Sequence, residues 1–84
     1  MKIMYYLYLL LCGDRSVYTG ITTDVERRFL EHVRGAGGHY TASRGAKKIL
    51  YTERFTTRSA ATRREVEIKR WKREKKLALI NHET

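Results

Sequence analysis

The sequence predicts a single α+β domain over residues 1–84, with one small sheet and two or three helices. Three observations predict it. Residues 3–12 are an apolar run rich in tyrosine, the length and composition of a strand covered on both faces. Gly13-Asp14-Arg15 supplies turn chemistry, and Val17 to Ile21 alternates as the returning strand of a hairpin. Two later stretches, about 25–34 and 57–72, repeat apolar residues at helical spacing.

The first strand is expected in the centre of the sheet, because its apolar run leaves no polar face for solvent. Tyr8 and Tyr18 are both even-numbered, so they share a face only if the connecting loop has an odd length or a bulge. Thr22, Thr23 and Asp24 are successive candidate N-caps for a helix from Val25 to about Arg34, with Val25, Phe29 and Val33 as its core stripe and Gly35 as its stop. Arg28 and His32, also four apart, project side by side from a neighbouring face.

Gly35 to Gly38 reads as a flexible loop, and 39–48 shows neither helical nor strand period. A third strand is expected from Ile49 to Phe55, with Ile49, Tyr51 and Phe55 on one face and Leu50 on the other. Thr57 or Ser59 caps a second helix whose stripe is Ala61, Ile68 and Trp71. Glu65 falls at the edge of that stripe, half shielded from water. A short closing helix over 75–80 turns Leu77 and Ile80 inward, and 81–84 reads as a frayed end.

Composition narrows the function. A hydrophobic fraction of 42% argues for a folded chain rather than a disordered one. Eighteen Lys and Arg against nine Asp and Glu leave a net charge of +9, which attracts polyanions through counterion release. Nucleic acid is the leading partner, and an acidic lipid surface is the other class such charge fits. The lone Cys12 forms no intrachain disulfide and reads as a core thiol. Lys2 and the apolar run superficially suggest a signal peptide. The run is too short to span a bilayer, contains Tyr5, Tyr6 and Tyr8, and has bulky Leu11 where a cleavage site needs small residues. The expected compartment is cytoplasmic, or nuclear in a eukaryote, with no membrane association.

Two tyrosines on a hairpin, an Arg and His side by side on the next helix, and a half-buried Glu match what phosphodiester hydrolysis requires. Those requirements are a cation for the phosphate, a base for water and an acidic metal ligand. Tyr6-Leu7-Tyr8 and Tyr18-Thr19-Gly20, followed by Arg28, His32 and a distant Glu65, resemble the GIY-YIG nuclease domain from Tyr5 to about Ile80. The chain is most similar to the small stand-alone branch, akin to the nuclease part of bacterial excision-repair incision subunits and of the eukaryotic branched-DNA resolvase. It departs from the family pattern at Tyr6 and Leu7, where the first motif has its glycine, at Val33, and at His39-Tyr40-Thr41.

The resemblance implies a three-stranded, mainly antiparallel sheet flanked by about three helices, and a metal-dependent DNA endonuclease acting in repair or recombination. It implies that Tyr8 activates water, that His32 takes up a proton, and that Tyr18 orients water and phosphate. It further implies that Arg28 holds the scissile phosphate and that Glu65 is the sole protein ligand of one Mg²⁺ or Mn²⁺. Arg27, Arg28, Arg44, Lys47, Arg64 and Lys69 are the expected nucleic-acid contacts, with a protein partner able to supply substrate choice. Against these stand plainer roles: core packing for the tyrosines, pairing of Arg27 with Glu31, and pairing of Glu65 with Lys69. His39 and His82 are too far apart for metal-ligand spacing. The alternative functions are a weakly active or non-catalytic basic module that binds DNA or RNA, and an RNA nuclease.

Overall fold

Where the apolar run pairs on both sides, the chain builds its centre. In a computed structural model, residues 2–81 are described, with the side chains of all but His39, Tyr40 and Asn81. The frayed end expected from residue 81 onward, with His82, lies outside the described residues except for Asn81. The elements run β1 Tyr5–Cys12, β2 Val17–Thr22, α1 Val25–Val33, α2 His39–Arg44, β3 Ala46–Phe55, α3 Arg58–Lys69 and α4 Arg73–Asn81. The sheet order is β2-β1-β3 and both ladders are antiparallel, so β1 is the central strand as its composition requires.

The hairpin has the odd loop that the tyrosines demand. The Cys12 amide donates to the Ser16 carbonyl at 2.9 Å, leaving Gly13, Asp14 and Arg15 as a three-residue loop. Arg15 takes the left-handed conformation (φ 72°) that such a loop needs in its last position. Tyr8 therefore faces Gly20 and Leu10 faces Tyr18, and the two tyrosines share one face.

The opposite face carries the apolar core, where Leu7, Leu9 and Val17 meet Ile68 of α3. Trp71, Leu77 and Leu79 extend it. Thr57 caps α3 by accepting the Ala60 amide at 3.1 Å. On the tyrosine face lies α1. Its cap is Asp24, which accepts the Arg27 amide at 3.0 Å. Gly35 (φ 80°) ends it in a Schellman motif, with Gly35 donating to the His32 carbonyl and Ala36 to that of Glu31.

Three details differ from expectation. Val33 is 53% exposed, and the inward side of α1 consists of Val25, Arg28, Phe29 and His32 instead. Position i+8 drifts off a helix face that is set at i, i+3, i+4 and i+7, and the polar pair turns inward. Residues 39–44 form a helix, making four helices among the described residues, and β3 begins at Ala46. A register shift between Leu9 and Leu10 puts Ile49 opposite Leu10, while Leu50 joins Tyr51 and Phe55 against the core.

Arg64, expected to contact nucleic acid, also has a role within the fold. Its guanidinium holds Glu53 of β3 through Nε at 2.9 Å and Nη2 at 3.0 Å, and Glu67 at 2.8 Å. It also lies 5.3 Å from the Trp71 ring centroid. Tyr51 donates to the same Glu53 carboxylate. Burial pushes the Glu53 pKa up, but Arg64 and Tyr51 outweigh it and hold the carboxyl below its usual range. Arg64 thus clamps α3 to the sheet. Arg64→Met is expected to cost about 2 kcal/mol, read as a lower urea midpoint, because it leaves a half-buried carboxylate unpaired. Lys47→Met, at an exposed strand position, is expected to stay within about 0.5 kcal/mol of the parent.

Candidate active site

A buried hydroxyl must find a partner, and on the tyrosine face only α1 offers one. Tyr8 is 1% exposed, and its Oη lies 2.8 Å from Nε2 of His32, itself 1% exposed. The other imidazole nitrogen, Nδ1, lies 2.7 Å from Oγ1 of the buried Thr41 on α2. A phenol donating to Nε2, with Nδ1–H donating to the threonine oxygen, satisfies every group in this chain of three.

Tyr18 completes an aromatic triangle. Its ring centroid is 6.2 Å from Tyr8 and 5.3 Å from His32, and Tyr8 and His32 are 5.8 Å apart. Two glycines make the triangle fit. A Cβ on Gly20 would stand 2.5 Å from the Tyr8 hydroxyl and 3.0 Å from the Tyr18 ring. A Cβ on Gly37 would collide with the His32 ring. Gly37, read from sequence as part of a flexible loop, is buried and packed.

Arg28 borders the triangle. It donates to Glu31 at 2.9 Å and to the Gly37 carbonyl at 3.2 Å. With Arg27, Glu31, Arg58, Tyr5 and Thr22 it lines a cleft of about 290 Å³. Arg58, on the first turn of α3, had no motif to announce it. Arg27 pairs with Glu31 only loosely, at 4.0 Å. Glu65 is 17% exposed and holds Lys69 at 3.2 Å, the plainer role foreseen for it, while Glu67 serves Arg64.

Electrostatics tie these groups into one site. Burial pushes the Tyr8 phenol up to about 12; Arg28 works against that rise, and the charges of Tyr18 and Glu65 add to it. Glu65 is therefore close enough to be felt at Tyr8. Burial, then the Arg28 charge, pushes the His32 imidazole below its ordinary value, so at neutral pH it is a free acceptor. Tyr8 of β1, Tyr18 of β2 and His32 of α1 are in ring contact, Arg28 of α1 borders them, and Glu65 of α3 bears on Tyr8 through its charge, so four elements contribute. Arg44 and Lys47 are not among them: Arg44 bonds Asp14 of the hairpin loop at 3.1 Å, and Lys47 is exposed at the start of β3.

Thr41 was missed because its helix has no readable period. Asp14–Arg44, with the Gly13 amide shared between the Arg44 and Gly45 carbonyls at 2.9 Å, docks that helix on the hairpin and sets the threonine under His32.

A lone half-buried carboxylate suits a hard cation that keeps most of its waters. Among the described residues no group of three or more His, Cys, Asp or Glu could enclose a metal ion, so one carboxylate completed by water and phosphate oxygens is the mode this donor set fits.

Gly20→Ala is expected to cost about 1–3 kcal/mol by overpacking and to displace Tyr8 from His32, observed as a lower melting temperature and shifted ring resonances. His32 also predicts a pH dependence. With its folded pKa depressed, its contribution is full above the unfolded value near 6.5 and is lost as pH falls through the folded one. The urea midpoint should drop as the pH is lowered through the unfolded value near 6.5 toward the depressed folded one, and His32→Gln should flatten that part of the curve.

Comparison with known proteins places the chain in a family. A family model described as the GIY-YIG catalytic domain matches residues 4–78. A UPF0213 protein of Natronomonas pharaonis is 49% identical over 80 residues, covering 95% of this chain and 94% of the relative. Another from Cupriavidus necator is 56% identical over 66 residues, covering 79% and 72%. The solution NMR structure of the UPF0213 protein BH0048 from Bacillus halodurans matches with a TM-score of 0.59 and 42% identity, over 93% of this chain and 83% of that one. Among the described residues no helix is long and apolar enough to cross a membrane. The match over residues 4–78 and relatives of nearly the same length establish that this chain belongs to the GIY-YIG catalytic-domain family.

Proposed function

We propose that this protein is a metal-dependent endonuclease that hydrolyses phosphodiester bonds in DNA. Family membership points to nuclease-type chemistry. The observation that carries the finer reading is the Tyr8 Oη to His32 Nε2 contact of 2.8 Å within reach of Arg28 and Glu65.

Tyr8, with its pKa at about 12, keeps its proton in the resting protein, so it can serve as a base only if that proton leaves as another arrives. His32 is the acceptor in place. As water gives a proton to the Tyr8 oxygen, the phenolic proton passes to Nε2, and the resulting imidazolium keeps its Nδ1–H on Thr41. Hydroxide attacks phosphorus as the opposite P–O bond breaks and the leaving alkoxide takes a proton from solvent water, while Arg28 neutralises the phosphate oxygens and Tyr18 orients water and phosphate at the open side of the triangle. Arg27 and Arg58 in the adjoining cleft offer contacts for flanking phosphates. Glu65 would hold one Mg²⁺ or Mn²⁺, which when bound supplies Lewis-acid stabilisation of the phosphate and leaving oxygen.

The near-complete burial of Tyr8 favours a second reading, a basic nucleic-acid-binding module that turns over slowly or needs a partner protein to open the site. Repair or recombination would be the context for either.

The test is incubation with labelled duplex, single-stranded and branched DNA, and with RNA duplex, in Mg²⁺, Mn²⁺ or EDTA. Metal-dependent cutting of DNA is expected. Tyr8→Phe should slow it at least about 100-fold and Arg28→Ala about 100- to 1,000-fold, with duplex affinity nearly unchanged in Tyr8→Phe. Cutting by Glu65→Ala at the parent rate would remove the metal role, and binding without cutting in any condition would establish the second reading.

A further inference from the structure

The outer edge of β2 opens into a second cleft, of about 420 Å³, lined by Val17, Tyr18, Thr19, Lys69 and Lys76. Antiparallel pairing alternates along the strand from the Cys12–Ser16 hydrogen bond, so Val17 and Thr19 turn their backbone groups away from β1. Lys76 of α4, 9% exposed, donates from Nζ to the Val17 carbonyl at 3.2 Å. Thr19 is 2% exposed, and its hydroxyl has no hydrogen-bond partner among the described residues. An orphaned hydroxyl in such a place calls for an explanation.

No carboxylate lines the cleft. Burial, and then the charge of Lys69, depresses the pKa of Lys76, so the two ammonium groups feel each other. Lys69 meanwhile leans on Glu65 at 3.2 Å. Each ammonium carries three protons, and Lys76 gives one to Val17 while Lys69 leans on Glu65, so with the Thr19 hydroxyl the donors at this strand edge outnumber the acceptors. A phosphate group has the charge and the oxygens to engage them together.

We propose that this cleft binds a phosphate group and that filling it draws Lys69 off Glu65. The first half stands on the cleft alone. The second rests on the metal role proposed for Glu65: the phosphate charge pulls the Lys69 ammonium toward the cleft, which loosens its ion pair and uncovers the carboxylate.

Titration of the ¹⁵N-labelled protein with inorganic phosphate, against chloride at matched ionic strength, tests it without metal or turnover. Saturable shifts at the Val17 to Thr19 and Lys76 amides are expected. Lys69→Met should weaken binding about tenfold and Thr19→Val about fivefold. Glu65→Gln, which frees Lys69, should tighten it about threefold. Linear, unsaturable shifts, or three variants identical to the parent, would overturn the site. A short DNA strand in EDTA that shifts the same amides identifies the ligand as a nucleic-acid phosphate; shifts with inorganic phosphate alone identify a free anion, and either result supports the site.

Mn²⁺ alone supplies the second arm. It should bind Lys69→Met more tightly than the parent, by about threefold or more, and Glu65→Gln hardly at all. Equal Mn²⁺ binding by the parent and Lys69→Met would overturn the link through Lys69. Equal binding by the parent and Glu65→Gln would overturn the metal role of Glu65, while the phosphate shifts would still uphold the cleft.

Discussion

The contact between the Tyr8 hydroxyl and His32 is the constraint on which the tyrosine face of the sheet depends. Both side chains are removed from water, so each needs the other, and the space they share exists only because Gly20 and Gly37 have no side chains. The requirement propagates outward. His32 must point inward, which rotates α1 away from the Val33 stripe. Its second nitrogen needs Thr41, which makes a short helix out of a segment without period, and that helix is secured by the hairpin loop through Asp14 and Arg44.

The same pair sets the chemistry. Burial moves the phenol up and the imidazole down, so both are neutral at rest and the proton lies on the oxygen with an acceptor already aligned. Such a pair is inert until a charge arrives to lower the cost of moving the proton. The groups able to bring or balance that charge, Arg28 and Glu65, come from opposite sides of the sheet.

The positive charge of the chain is divided more finely than its composition suggests. Of the eight basic residues between Arg63 and Lys76, five have intramolecular roles. Arg64 holds Glu53, Lys69 holds Glu65, Arg73 donates to the Arg15 carbonyl, Lys75 covers Trp71, and Lys76 donates to Val17. Arg63, Arg70 and Lys72 remain as exposed charge on this side, and Arg27 and Arg58 line the cleft beside Arg28. A basic stretch in a domain this small serves folding as much as binding, because few other side chains are long enough to tie helices to the sheet.

Period and turn chemistry, which are local, were sufficient for the central strand, the hairpin and the long helices, and narrowed the caps to a few candidates from which the structure selects Asp24 and Thr57. Parity placed Tyr8 and Tyr18 on one face only on condition of an odd loop, and the three-residue loop meets that condition. The paired motifs then selected Arg28, His32 and Glu65 from among many similar residues. What the sequence could not decide were contacts between segments far apart in the chain. The bulge that turns Leu50 to the core is set by β1 opposite it. Arg64 and Lys69 look alike on a helical wheel, yet one meets Glu53 across eleven residues and the other Glu65 across four. Thr41, Gly37 and Arg58 bear on the site only through where the chain returns in space, and that return is a property of the packed tertiary structure rather than of any local stretch.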